Sequence, residues 1–328
     1  MHIILIILTS ALFMVTFAPL LPSNHWLFRV WEFPRVQICA LVLLNMLACL
    51  YLLPSELGYA LVAINAVLLI YQVFWIFPFT WLAPVQVSGV SSNVSAPKLK
   101  VITSNVLMTN RSSDKLLALV SEYQPDVLVT LESDIWWQNS LSSLHDDYPY
   151  RVAKPLDNLY GMHLYSKHKL ENLTVVDLIK ADIPSIHCDL ILNESIRIKC
   201  HFLHPEPPSP TESKVATPRD RELLLVAKQV SPRQEPTIVT GDLNDVAWSP
   251  TTRAFRHKSG LLDPRVGRGF FNTFHAQHTL ARWPLDHIFH SAHFQLIELK
   301  RLPSIDSDHF PLYSSFAITS ELASQTKG

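Results

Sequence analysis

Several apolar runs in this 328-residue chain begin or end on polar side chains where the pattern calls for another hydrophobic or a turn residue. Asn105 closes the run that starts at Lys98, and Glu132 closes Val127-Leu128-Val129-Thr130-Leu131. Gly241-Asp242-Leu243-Asn244 follows Ile238-Val239-Thr240, Asp286-His287 opens onto Ile288-Phe289, and Asp308-His309 precedes Phe310-Pro311-Leu312. Taken singly, a strand-end Asp or Asn is usually a turn or cap residue. As a set these ends mean more, because open sheets with parallel strands gather ligands at strand ends.

The side chains define what such a gathering can do. Two carboxylates, Glu132 and Asp308, suffice to hold one hard divalent cation with water completing its shell. The cysteines are not clustered, which argues against a structural zinc. Asp242 is available to orient or deprotonate a water, and Asn105 and Asn244 to donate hydrogen bonds. His309 beside Asp286 would present a positioned donor to a phosphoryl oxygen. This is an inventory for attacking a phosphate ester with activated water.

The order of these segments resembles the endonuclease/exonuclease/phosphatase superfamily, the DNase I-like proteins. The resemblance rests on Asn105-Val106, Pro125-Asp126-Val127-Leu128 leading to Glu132, His204-Pro205, Gly241-Asp242-Leu243-Asn244, Leu285-Asp286-His287-Ile288 and Ser307-Asp308-His309-Phe310-Pro311. It covers about residues 98–318 and implies a four-layer α/β/β/α sandwich and hydrolysis of phosphoesters with Mg²⁺, or Mn²⁺ in its place. Residue by residue it implies that Glu132 is the principal metal ligand, with Asp308 near or on the same metal. Asp242 would position or deprotonate the nucleophilic water with support from Asn105, and Asn244 would hydrogen-bond the phosphoryl group. His309, oriented by Asp286, would contact the scissile phosphate. His204 matches a position that DNase-like members use to protonate the leaving group. One departure is Leu107, where some nucleases of the family carry an acidic residue. The runs Gly241–Ser249 and Trp283–His290, behind three apolar segments, are similar to bacterial membrane-anchored members.

The elements that must position these residues alternate between strand and helix. Lys98–Val106 and Asp126–Leu131 read as strands, the second buried on both faces, and Ser113–Tyr123 between them has helical spacing. Short strands follow from Tyr148 to Phe202, including a hairpin turning at Asn193-Glu194 that places Cys188 and Cys200 on one face, as buried thiols or, in an oxidising space, as a cross-strand disulfide. A proline-rich loop, Pro205–Pro218, precedes a helix over Arg219–Val230, a strand at Thr237–Thr240 and a helix over Ser249–His257. Three strands close the chain, at Leu285–His290, Phe294–Leu299 and Pro311–Ala317. The pattern is that of an α/β or α+β sandwich. His287 would point away from Asp286 on a regular strand and is left out of the site. Arg219 has two readings, as a cap on the proline-rich loop or as a substrate contact. Trp248 reads as packing at the rim, and Arg265, Arg268 and Arg282 as candidate sources of local positive potential.

The front third differs from the rest. Residues 1–95 hold only Arg29, Glu32, Arg35 and Glu56 as formal charges. Met1–Leu21, Val36–Leu53 and Leu57–Phe79 are uncharged and long enough to cross a bilayer as helices, with Trp26, Trp31, Trp75 and Trp81 near their ends. The first run lacks the basic flank and cleavage site of a signal peptide. The organisation expected is a membrane anchor over 1–83, a Ser-rich linker over 84–97, a catalytic domain over 98–318 and a C-terminal tail over 319–328. Such a linker predicts few contacts with the membrane part, so that the domain would fold and work alone. The partners expected are a lipid bilayer and a phosphoester substrate; no protein partner is inferable. Arg29, Arg35, Lys98 and Lys100 place the domain on the cytoplasmic side of the cell (inner) membrane.

Of 27 Lys+Arg and 28 Asp+Glu, two of each precede residue 96, leaving 25 basic against 26 acidic residues without a basic run. Proteins that grip duplex DNA normally carry a basic excess. This ranks lipid-derived or small phosphoesters ahead of duplex DNA. A membrane-anchored endonuclease or exonuclease is the alternative within the enzyme class. A catalytically inactive membrane interaction module is the alternative outside it, disfavoured because every site residue of the pattern is present.

Overall fold

The computed structural model describes residues 2–230 and 234–318. The expected C-terminal tail, 319–328, lies outside the described residues. Four helices lead: α1 (His2–Phe17), the single turn α2 (Trp26–Arg29), α3 (Arg35–Leu52) and α4 (Glu56–Ile76). With their short extensions, His2–Leu20, Arg35–Leu52 and Glu56–Phe79 are long and apolar enough to cross a membrane, at mean hydropathies of 2.5, 1.9 and 2.2. A polar seam runs between them. Asn45 Nδ2 donates to Thr9 Oγ1 at 2.8 Å and to Asn65 Oδ1 at 3.2 Å, Gln72 Nε2 donates to Thr16 Oγ1 at 3.1 Å, and Arg35 Nη1 donates to Gln72 Oε1 at 2.8 Å. In apolar surroundings an unpaired amide is costly, so the seam selects one rotational setting for each helix.

The rest of the described chain runs β1 (Lys98–Asn105), α5 (Ser113–Tyr123), β2 (Val127–Leu131), α6 (Ile135–Ser140), β3 (Tyr150–Lys154), β4 (Met162–Ser166), β5 (Lys169–Val176), β6 (Ser185–Asn193), β7 (Ile196–Leu203), α7 (Thr217–Gln229), β8 (Thr237–Asp242), α8 (Pro250–Ser259), β9 (Asp286–His290), β10 (Phe294–Arg301) and β11 (Leu312–Ile318). One sheet has the order β10-β11-β1-β2-β4-β3 and the other β5-β6-β7-β8-β9. Val101, Val129, Leu164, Ile198, Phe202, Ile238 and Ile288 fill the space between them. Leu116, Val120 and Trp137 cover the outer face of the first sheet through Ile102 and Leu128, and Leu223, Val226 and Phe255 cover the second through Val239 and Phe289. The result is the four-layer α/β/β/α sandwich.

The period-2 pattern of the strands makes the site. Val101, Thr103 and Asn105 share one face of β1, and Ile238, Thr240 and Asp242 share one face of β8. Thr103 Oγ1 and Thr240 Oγ1 meet across the two sheets at 2.7 Å. The intersheet core thus turns polar in steps, from valine and isoleucine through threonine to asparagine and aspartate. Asp286 lies directly opposite Asp242 in the β8–β9 ladder.

Helix α6 is absent from the sequence reading. Its six residues are too few for an apolar period, and it is started by a cap, with the Trp137 amide donating to Asp134 Oδ1 at 2.9 Å. Cys188 and Cys200 stand opposite one another in the β6–β7 ladder, both free and buried.

The expectation of few contacts between the leading segment and the domain is corrected. Residues 84–97 lie against the sandwich: Val90 N donates to Leu296 O at 2.9 Å, Leu296 N donates to Ser88 O at 3.0 Å, and Val87 is buried in the intersheet core. The connection between α1 and α3 is seated as firmly. Trp26 N donates to Lys214 O at 2.9 Å, Ala216 N to Asn24 O at 2.7 Å, and Trp248 Nε1 to Glu32 O at 2.7 Å. Ile76 and Phe79 pack with Val246, Ala247, Trp248 and Leu285 in one buried cluster. Trp248 therefore is not a rim residue; it is buried at the join between the leading helices and the sandwich.

Candidate active site

Asn105, at the end of β1, is fully buried, and its amide ties two carboxylates together. Nδ2 donates to Glu132 Oε1 at 2.7 Å and to Asp242 Oδ2 at 3.1 Å, while Oδ1 accepts the Leu107 amide at 3.1 Å. Glu132 follows β2 in the left-handed region, φ 56°, and Asn244 follows β8 in the same region, φ 50°. Such conformations are uncommon outside glycine and concentrate at functional sites. Gly241 is required for a different reason: a Cβ there would stand 1.9 Å from Leu203 O on the neighbouring strand.

Asp242 is buried at the centre. Besides the Asn105 amide it accepts the Asn244 backbone N–H at 2.9 Å, with His309 Nε2 3.5 Å and His204 Nε2 3.9 Å from Oδ2. His309 Nδ1 is 2.7 Å from Asp286 Oδ2, and Asp286 N donates to Thr273 Oγ1 at 3.1 Å. Ser307 Oγ donates to Asn105 O at 2.8 Å and accepts His309 N at 3.1 Å, locking the Ser-Asp-His segment onto the end of β1. Asn244 Nδ2 donates to Pro205 O at 3.0 Å, and Arg219 Nη1 donates to Asn244 O at 2.9 Å. His204 lies against the Tyr160 ring at 5.2 Å. Glu132, Tyr160, His204 and Asn244 line a narrow cleft of about 50 Å³.

Electrostatics divide the two histidines. Burial works against a charge on His309, but Asp286 and Asp242 outweigh it and raise its pKa to about 10. His204 is buried without comparable carboxylate support, and with His309 beside it falls to about 3. The expected proton donor at His204 is therefore a neutral ring. Burial pushes Glu132 up to about 7, opposed by the Asn105 amide and His309 and reinforced by Asp308 and Asp242. Asp286 stays below its usual value because His309 overcomes its burial.

The donor set suits a hard cation. Glu132, Asp242, Asp286 and Asp308 bring four carboxylates to a region where His309 is the cation they share. Asp242, Asp286 and His309 have ligand atoms within 4.8 Å of one another. The hydrogen bond between His309 and Asp286 already commits that pair, whereas, among the described residues, Glu132 accepts only the Asn105 amide on Oε1.

The remaining sequence candidates take structural positions. Arg219 is buried, bonded to Asp220 at 2.8 Å and placed 3.2 Å from Asp245, so of its two readings neither the loop cap nor the substrate contact describes it; it braces the Asn244 loop. Arg265 is buried and paired with Asp263 at 2.8 Å, so it supplies no free positive potential, whereas Arg268 spends its guanidinium on the carbonyls of Val87 and Pro264. Arg282 bonds the His275 and Ala276 carbonyls. His287 lies on the helix-covered face between Arg265 and the Asp245 carbonyl. Thr103, Thr240, Thr273, Ser307 and Tyr160 support the site without having been singled out in the sequence. Only Ser307 carried a signal, as the first residue of the Ser-Asp-His triplet.

The model of the endonuclease/exonuclease/phosphatase family matches residues 102–309, from the middle of β1 to the site histidine. The chain belongs to this family. As a member it is a hydrolase of phosphoester bonds. No curated protein matches the sequence. Among solved structures, D. rerio TDP2 complexed with a single-strand DNA product is 17% identical, covers 67% of this chain and 98% of its own, and has a TM-score of 0.55. The family protein from Beutenbergia cavernae is 14% identical over 68% of this chain and 72% of its own, with a TM-score of 0.55. The human nocturnin catalytic domain with bound sulfate is 22% identical over 68% and 94%, with a TM-score of 0.53. These likenesses establish the shared fold.

Proposed function

We propose that this chain is a membrane-anchored, Mg²⁺-dependent phosphoesterase acting on lipid-derived or small phosphoesters at the bilayer surface. The observation that carries this reading is the seating of the α1–α3 connection beneath the loops of the site. Asn24 and Trp26 hold the loop before α7, Glu32 holds Trp248 behind the Asn244 loop, and Gln37 Nε2 donates to Leu280 O at 2.8 Å in the loop that bonds Asp308. Loops resting on the ends of membrane-spanning helices work at headgroup height, where lipid phosphates are the most concentrated anions. The near balance of acidic and basic residues supports the same choice over duplex DNA.

In this reading Glu132 and Asp308 hold Mg²⁺, or Mn²⁺ in its place. When bound, the cation supplies Lewis-acid polarisation of a phosphoryl oxygen. Asp242 takes the proton of the attacking water as the new P–O bond forms, its carboxylate held by the Asn105 amide and the Asn244 N–H. His309, kept cationic and fixed in orientation by Asp286, presents Nε2–H to the charge growing on the phosphoryl oxygens. Asn244 keeps a second amide hydrogen for the same group. The P–O bond to the alcohol then breaks with its electron pair leaving on the alcohol oxygen; neutral His204 hydrogen-bonds that oxygen while solvent water gives it a proton.

The test compares kcat/KM of the full-length protein in detergent on phospholipid vesicles, soluble headgroup phosphates, single-stranded oligonucleotides and plasmid DNA at one Mg²⁺ concentration. Lipid or small esters should be cleaved fastest. Plasmid nicking without turnover of any lipid or small ester would reverse the assignment to a membrane-anchored nuclease, the reading that the DNA bound to D. rerio TDP2 keeps in view. We place the domain on the cytoplasmic side of the cell inner membrane. The α1–α3 connection lies against the domain, so Arg29, Arg35, Lys98 and Lys100 share one side, and basic residues favour the cytoplasm. An alkaline phosphatase fusion after residue 95 should be inactive, and an active one reverses the orientation.

A further inference from the structure

A second cavity, of about 450 Å³, opens where the end of α4 meets α8, and it shares no lining residue with the catalytic cleft. α4 contributes Phe74 and Trp75, α8 contributes Arg253, Arg256 and His257, and the segment between α4 and β1 contributes Gln86. Among the described residues, none that lines it is acidic. The Arg253 guanidinium lies over the Trp75 ring at 4.7 Å and the Phe74 ring at 5.5 Å. Two aromatic faces hold this cation in place and leave its charge unneutralised. Arg256 donates Nη2 to Gln86 Oε1 at 2.7 Å, while its Nε is buried without a partner. Asp263, the carboxylate whose field reaches Arg256, is committed to Arg265 through Nε at 2.9 Å and Nη2 at 2.8 Å.

A buried guanidinium N–H without an acceptor is costly, and an anion seated beside Arg253 and Arg256 would offset that cost through the charge it faces. The walls also say what accompanies that anion. Phe74 is 61% exposed on α4, within the apolar stretch that ends at Phe79. One wall thus suits hydrocarbon and the other suits oxyanions, at the end of a span where headgroups lie. Guanidinium groups match phosphate oxygens in geometry as well as charge.

We infer that this cavity binds the phosphate-bearing headgroup of an anionic membrane lipid, as a site separate from catalysis. The inference rests on reading the leading helices as membrane spans. Full-length protein in detergent micelles is titrated with phosphatidylglycerol, with phosphatidylcholine of the same chains, and with glycerol phosphate. The readouts are lipid retained per protein by native mass spectrometry and the thermal midpoint. Phosphatidylglycerol should be retained and should raise the midpoint, and the other two should do neither at equal concentration. Arg253→Gln should weaken that retention about tenfold, and Arg253→Lys, which keeps the charge without the planar, stacked fork, should weaken it less. Arg253 is exposed and makes its contacts through ring faces, so its variants test the site even where Arg256→Gln does not fold. Equal retention of both lipids, unchanged binding by Arg253→Gln, or equal binding of free glycerol phosphate overturns the inference. Carbonate extraction separates the two readings. Protein released from membranes overturns the span reading itself, and protein retained in them without lipid preference overturns this inference alone.

Discussion

Asp242→Asn should lower kcat about a thousandfold on any phosphoester the enzyme accepts, with the Mg²⁺ dependence little changed. The carboxylate accepts N–H groups from Asn105 and from the Asn244 backbone and faces His309 and His204. An amide has one accepting oxygen, so in either orientation its NH₂ group confronts a donor. It also removes the charge that helps keep His309 protonated and the base that takes the water proton. Glu132→Gln should fail in another way, raising the Mg²⁺ needed for half-maximal rate by at least about tenfold while turnover at saturating metal recovers in part. Titrating activity against Mg²⁺ for both variants separates these roles. Unchanged metal affinity in Glu132→Gln would remove it from the metal site.

A chain that starts at residue 96 should lose most of its activity and stability, contrary to what a Ser-rich linker suggests. Removing residues 1–95 uncovers Val246, Ala247, Trp248 and Leu285 and deletes the Glu32 carbonyl that Trp248 bonds. It also strips Val87 from the intersheet core and the backbone bonds to Leu296. Burying this much apolar surface is worth about 5 kcal/mol or more, comparable with the whole stability of many domains. The Asn244 loop, braced from behind by Trp248 and Arg219, should lose its setting first. The measurement compares the fragment with the full-length protein for thermal midpoint, monodispersity and kcat. A monodisperse fragment with full-length values would mean that the docking contributes nothing.

The alternation along single strands made much of the architecture legible. Val101-Thr103-Asn105 and Ile238-Thr240-Asp242 each announce a strand and mark the end at which its buried face becomes polar. The strand-end polar residues converge because parallel pairing of β1 with β2 and of β7 with β8 aligns those ends. What single-strand patterns cannot carry is contact between distant segments. Trp248 looks like a surface tryptophan until Glu32 and Phe79 arrive, and Arg265 looks like a free cation until Asp263 folds back on it. The Ser-rich stretch 84–97 has the composition of a tether, yet backbone bonds, which composition does not encode, fasten it to β10.

The bond between Trp248 and Glu32 closes a chain separation of 216 residues, and that between Asn24 and Thr217 a separation of 193. The connection between the first two long helices is thus among the earliest parts synthesised and among the last to find its partners. At about 5–20 residues per second the ribosome needs roughly 10–40 s to produce those partners. With the leading helices spanning a bilayer as proposed, Glu32 and the backbone around it would face water at its surface during that interval, and the polar seam of the bundle would have time to set. The segment made first thus supplies the backing against which Trp248, behind the Asn244 loop, packs in the folded protein.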